Sequence, residues 1–222
     1  ILHAAMPPAL FRSALASQHL ELREMRFSKL PPDTGVMLQA RTWAALQAAL
    51  QQSPGAFEAL TGMGQLALTR HQFAEALDWG ERARAVAPAA PVAYGIIGDA
   101  NLEIGRFDAA FAAFQTMVDL RPDLASYARA SYARELTGSI DGAIHAMELA
   151  ARAGGIAGEP AAWARVHLGN LWWDYRGDAA AARVEYERAL FAYPDYAAAH
   201  AGLARLAAAH GDFAGALERA TK

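Results

Sequence analysis

With 222 residues and a formal net charge of −3, the chain is long enough to bury a substantial core and lacks the basic excess that binds nucleic acid through its phosphates. Its hydrophobic fraction of 54% is largely alanine, with aromatics at only 9%, a composition that favours helices packed through small side chains. Cysteine is absent, which excludes disulfides, thiol nucleophiles and thiolate metal sites, and the longest uncharged run, 42–57, falls short of the ~20 apolar residues of a membrane span.

The chain begins at Ile1 with no basic segment ahead of an apolar one. The expectation is that a leader has been removed or that these residues belong to a longer protein. Residues 1–34 read as an N-terminal helical segment or cap. Within it, 9–30 forms one or two helices, and the run 21–30 packs on the units that follow. Pro31-Pro32 interrupts the pattern. A helix over 36–52 comes next, capped by Asp33 or Thr34 and closed by Ser53-Pro54-Gly55, so that 35–56 reads as one helix of a degenerate repeat.

From residue 57 the chain repeats itself. Gly64 recurs as Gly98, Phe73 as Phe107, and Pro54, Pro88 and Pro122 keep the same 34-residue spacing. Three markers with one period indicate a stack of identical helix-turn-helix units. The turn continues at Gly138, Gly177 and Gly211, at steps of 33, 39 and 34 residues, the long step being caused by the glycine-rich stretch 154–160. In the second unit 91–104 forms a helix ended by Gly105. A partner helix over 108–120, with Ala110, Phe111, Phe114 and Met117 on one stripe, is stopped by Arg121-Pro122. Neither helix buries its stripe alone, and stacking on the next pair does so. The fourth unit has one residue more between Gly169 and Gly177 than the second has between Gly98 and Gly105, which predicts a widened turn.

These residues resemble the tetratricopeptide repeat, in units 57–90, 91–123, 124–161, 162–196 and 197–222. The fold this implies is all-α, a right-handed α-α superhelix of about five units with N-terminal capping helices, of bacterial type. The resemblance further implies that the first helices of successive units line a concave groove that binds a peptide or a partner helix. Carried onto this chain, the groove positions are Thr61, Gln65, Asp99, Arg129, Tyr132, Glu135, Trp163, His167, Asn170, Trp173 and Arg205. The run 21–30 packs on the first repeats or into this groove. Trp172 takes the aromatic core position. Trp173, about 100° away, either anchors a partner or packs on the widened turn or the N-terminal residues. Arg129, Tyr132 and Glu135 either meet a partner or form an internal ion pair. No lysine lies in the groove, which argues against the carboxylate clamp by which some members hold chaperone termini.

The search for chemistry returns no foothold. No two of the seven histidines sit three or four apart, so no zinc-type pair shares a helical face. Gly62-Met-Gly64 and the 154–158 stretch lack the Gly-Lys-Ser/Thr ending of a phosphate loop, and no Gly-x-Ser-x-Gly elbow occurs. The chain is therefore expected to be a scaffold or adaptor rather than an enzyme, with no cofactor, no metal, no nucleic acid and no membrane span. Its partner is expected to be a protein or peptide, with self-association or service as the interaction domain of a larger protein as rivals. A soluble chain, cytoplasmic or exported to a periplasm, fits equally well.

Overall fold

A computed structural model describes residues 34–221 of the chain. The expected N-terminal cap, with its run 21–30, lies outside the described residues. Among those described there are eleven helices and no strand: α1 (Thr34–Gln52), α2 (Phe57–Thr69), α3 (Phe73–Val86), α4 (Pro91–Glu103), α5 (Phe107–Leu120), α6 (Leu124–Leu136), α7 (Ile140–Ala153), α8 (Glu159–Arg176), α9 (Ala179–Ala192), α10 (Ala197–Ala209) and α11 (Phe213–Ala220). They divide into two compact units, 34–121 and 122–221.

In the unit 34–121 each helix packs on the next, and the first helices α2 and α4 also touch. The contacts are close because small residues stand where helices meet. A Cβ on Gly64 would come within 2.9 Å of Ile96 Cγ2, and one on Gly98 would enter the ring of Phe114, which is 1% exposed. Ala76, Ala83 and Ala110 of the second helices are fully buried. Around them Leu68, Ile96 and Ala100 form one apolar cluster, and Leu60, Ala83 and Ala93 another. The unit 122–221 is built the same way, with α8 touching both α7 and α10. Tyr186 of α9 is wedged where Cβ atoms on Gly169 and Gly202 would come within 2.6 and 2.7 Å of its ring. Its hydroxyl donates to Asn170 Oδ1 at 2.8 Å.

The helices are punctuated by a shared turn. At the end of α4 the Gly105 N–H donates to the Leu102 carbonyl and the Arg106 N–H to the Asn101 carbonyl, satisfying groups that the helix leaves open. Gly105 has φ +78°, a conformation that costs an L-residue ~1–2 kcal/mol. The same pair of bonds closes α2, α6 and α10, with His71 at φ 57° as the one non-glycine in that position. The closure of α8 is one residue wider. There the Gly177 N–H reaches the Trp173 carbonyl and the Asp178 N–H the Trp172 carbonyl, so the extra residue between Gly169 and Gly177 is absorbed as the widened turn expected.

Two local signals set other boundaries. Asp123 and Ser126 form a reciprocal capping box at the start of α6. Pro160 in the first turn of α8 lets that helix begin at Glu159, ahead of the boundary at 162 expected from the repeat. The preceding loop is fastened to the end of α9 by Gly158 N–H donating to the Ala192 carbonyl at 2.8 Å.

Two substitutions separate the packing and turn roles of glycine. Gly98→Leu overpacks the contact with Phe114 and is expected to cost ~1–3 kcal/mol in thermal or denaturant unfolding. Gly105→Ala meets no atom within 4 Å, so its expected cost of ~1–2 kcal/mol is that of the backbone conformation alone.

Candidate functional site

Close packing leaves each first helix with a single solvent-facing stripe. On α8 the residues Ala161, Ala162, Ala164, Val166, Leu168, Gly169 and Leu171 are buried, and Trp163, His167, Asn170 and Asp174 follow one another along the opposite line at helical spacing. The rings of Trp163 and His167 are in contact, centroids 4.3 Å apart and planes tilted by 48°. Burial holds the pKa of His167 down at about 4, so its imidazole is neutral at ordinary pH. Asn170 is spanned by the Tyr186 hydroxyl, which turns its carboxamide into a fixed part of this surface.

The neighbouring helices extend the stripe. Arg205 on α10 is exposed and donates from Nη2 to Asp174 Oδ1 at 2.7 Å, tying α8 to α10 across their solvent-facing sides. Along the same line α10 exposes Ala198, Ala201 and Ala209. On α6 Arg129 and Tyr132 are half-buried, and Arg129 Nη1 donates to its own helix at the Ala125 carbonyl. Glu135 accepts from the Tyr175 hydroxyl at 2.9 Å, and Arg176 pairs with Asp141 of α7. Three consecutive residues at the widened end of α8 thus fasten it to α10, α6 and α7.

Trp172 and Trp173 are both partly buried. Trp172 packs against the apolar clusters on either side of α8, and Trp173 packs against the cluster that contains Val166, Tyr186, Leu203 and Leu206. The indole of Trp173 therefore contributes to the core of α8, α9 and α10.

In the unit 34–121 the solvent-facing stripes are of another kind. Gln65 is exposed on α2 and Asp99 half-exposed on α4, with Glu58 and Glu103 exposed along the same two lines. Thr61 is buried, its hydroxyl donating to the Phe57 and Glu58 carbonyls, and so it stands behind the stripe. Arg70, at the end of α2, turns onto the ring of Trp43 of α1, 5.0 Å from its centroid.

Sequence reasoning placed Trp163, His167, Asn170 and Arg205 on stripes that the fold makes contiguous, and it missed Asp174, Glu58 and Glu103. Continuing the three- and four-residue spacing one step beyond Asn170 reaches Asp174, and one step beyond Asp99 reaches Glu103. No group of three His, Asp or Glu able to hold a metal ion occurs among the described residues, and none of the described helices is long and apolar enough to cross a membrane.

The architecture defines a class, the stacked helix-turn-helix repeat scaffolds. The profile of the tetratricopeptide repeat matches residues 44–91, 81–125 and 174–220, and the chain belongs to that family. No curated protein matches it. Solved structures with a similar fold include the APC/C hetero-tetramer Cut9–Hcn1, at TM-score 0.67 and 15% identity, covering 82% of this chain and 35% of that one. TTC0263, a thermophilic TPR protein of Thermus thermophilus, has TM-score 0.64 and 19% identity over 80% of this chain and 94% of its own. YrrB, described as a TPR protein with an unusual peptide-binding site, has TM-score 0.52 and 20% identity over 75% of this chain and 84% of its own. At these identities the likeness is one of fold. The family and its architecture make this a protein-interaction scaffold.

The buried imidazole gives a pH test. The ordinary histidine pKa is 6.5 and that of folded His167 about 4, so between these values the unfolded chain binds the additional proton. Stability from this group is complete above pH 6.5 and is lost as pH falls toward 4. His167→Phe is expected to flatten that part of a denaturant-midpoint profile, and an unchanged slope would place the imidazole in water.

Proposed function

We propose that the chain is a non-catalytic adaptor that holds an extended segment or a helix of a protein partner against the solvent-facing stripes of its first helices. The observation that carries this reading is the stripe on α8 with its neighbour on α10. Aromatic and amide groups are held rigidly by the surrounding core while one edge stays in solvent, and the adjoining α10 surface is levelled to alanine. Preorganised rings and amides lower the ordering cost of binding, and aromatic anchors of this kind dominate protein interfaces. Arg205 and Asp174 cancel one another, so the surface favours a partner segment with apolar and hydrogen-bonding side chains over a strongly charged one. Under this reading Arg129, Tyr132, Glu135, Trp163, His167, Asn170 and Arg205 serve in the unit 122–221, with Trp173 packed into the core behind them, and Gln65, Asp99 and the backing Thr61 serve in the unit 34–121.

Self-association is a second reading with an observation of its own. Phe213 and Leu217 of α11 are 73% and 68% exposed on one side of that helix, an apolar pair that a second copy would cover. Light scattering over a concentration series would end this reading if the mass stayed that of a monomer.

The principal test is affinity capture from the native host with three proteins side by side. Ala201→Glu combined with Arg205→Glu places two carboxylates on the α10 stripe at solvent-facing positions, so the fold is expected to stand, as circular dichroism would verify. Capture by this variant is expected to fall at least tenfold, the equivalent of ~1.4 kcal/mol. A charge reversal on α9, Glu187→Arg, is expected to leave capture unchanged. Retention by the first variant and loss by the second would move the site off the first helices.

A further inference from the structure

The helix α11 shows a face that its counterparts in the repeat keep covered. Phe213, Ala216 and Leu217 occupy the repeat positions of Phe73, Ala76 and Leu77 in α3 and of Ile140, Ala143 and Ile144 in α7. Phe73 and Leu77 pack into one apolar cluster with Ile96 and Ala100 of α4, and Ile140 and Ile144 into another with Ala164 and Leu168 of α8. In both cases the cover is the following first helix. Ala76 and Ala143 are fully buried beneath it, whereas Ala216 is half-buried and Phe213 and Leu217 are 73% and 68% exposed.

The face is also free of charge. At ~100° per residue Phe213, Ala216, Leu217 and Ala220 fall within one third of the circumference of α11, and Asp212, Glu218 and Arg219 fall outside it. A cover must bring what α4 and α8 bring, apolar side chains one turn apart with alanine beside them. Among the described residues, two exposed large apolar side chains one turn apart on the same helix occur at Phe213 and Leu217 alone. The face that lacks a cover is therefore the face able to act as one, which is the condition for a pair related by two-fold symmetry.

We propose that α11 pairs with α11 of a second copy, antiparallel about a two-fold axis near Ala216 and Leu217. Phe213 of each copy then lies over Ala220 of the other, and Leu217 over Ala216, so that large side chains meet small ones. The antiparallel order is that of α3 with α4, which a short turn joins, and the contact continues the packing already made inside each unit. This rests on the self-association reading and names its surface, its symmetry and its register. Two helices of eight residues make an interface of the small class, below ~1,200 Å², so the dimer is weak and exchanges rapidly.

The test is sedimentation equilibrium of the full chain over a concentration series reaching hundreds of micromolar, where the wild type is expected to approach a dimer. Leu217→Glu and Leu217→Arg change a solvent-facing position, so the fold is expected to stand, as circular dichroism would verify. Each alone is expected to weaken dimerisation at least tenfold, because like charges meet across the axis, and an equal mixture of the two is expected to recover it. The absence of cysteine allows a second measurement. Under mild oxidation Leu217→Cys is expected to form linked dimers many-fold faster than Val184→Cys on the exposed side of α9. A wild-type chain that stays monomeric throughout ends the self-association reading together with this pairing, and leaves the face to a helix of another protein. Dimers that persist in Leu217→Glu, a mixture that recovers nothing, linkage as fast at 184 as at 217, or growth beyond a dimer would leave self-association standing and overturn the α11 pair.

Discussion

The structure depends on how closely its helices approach. Phe114 lies on Gly98, and Tyr186 is held between Gly169 and Gly202, each ring filling space that a single added methyl would take. Fully buried alanines in the second helices extend the same contact along each pair. Because dispersion falls steeply with separation, such small residues let the first helices bury most of their circumference, with contacts confined to near neighbours. What remains of a first helix is one stripe in solvent, and that remainder is the surface on which function is proposed.

The turns set where the stripes point. Closing α2, α4, α6 and α10 with the same two hydrogen bonds repeats the geometry of each pair. The wider closure of α8 departs from that rule, and its consequence is local. Asp174, Tyr175 and Arg176 are carried to the edge of the unit 122–221, where each meets a different helix. One additional residue in the turn thereby exchanges regularity for three polar ties, two of them ion pairs at the surface, where such pairs contribute modestly and mainly fix geometry.

The two units present different chemistry from one architecture. In 122–221 the stripe is aromatic and close to neutral, with an imidazole kept uncharged by burial and an arginine cancelled by an aspartate. In 34–121 it is acidic. Under the adaptor reading, segments of a partner would be distinguished by charge without any change of fold, since charge complementarity acts on specificity and encounter more than on the stability of the stack.

The sequence by itself determined the helices, their period and the positions where they meet. Glycine, alanine, an aromatic and proline recur at 34-residue spacing because those contacts and turns recur, and each is a local steric requirement that one residue type satisfies. It also located the stripe residues Trp163, His167, Asn170 and Arg205, since face follows from helical spacing. Only the tertiary structure decided what each side chain meets: that Thr61 is spent on its own backbone, that Trp173 packs into the core of α8, α9 and α10, and that Arg205 finds Asp174 thirty-one residues away. Those outcomes depend on the distance between helices and the angle of a turn, and a one-dimensional pattern carries the register of a stripe but not the partner across the gap.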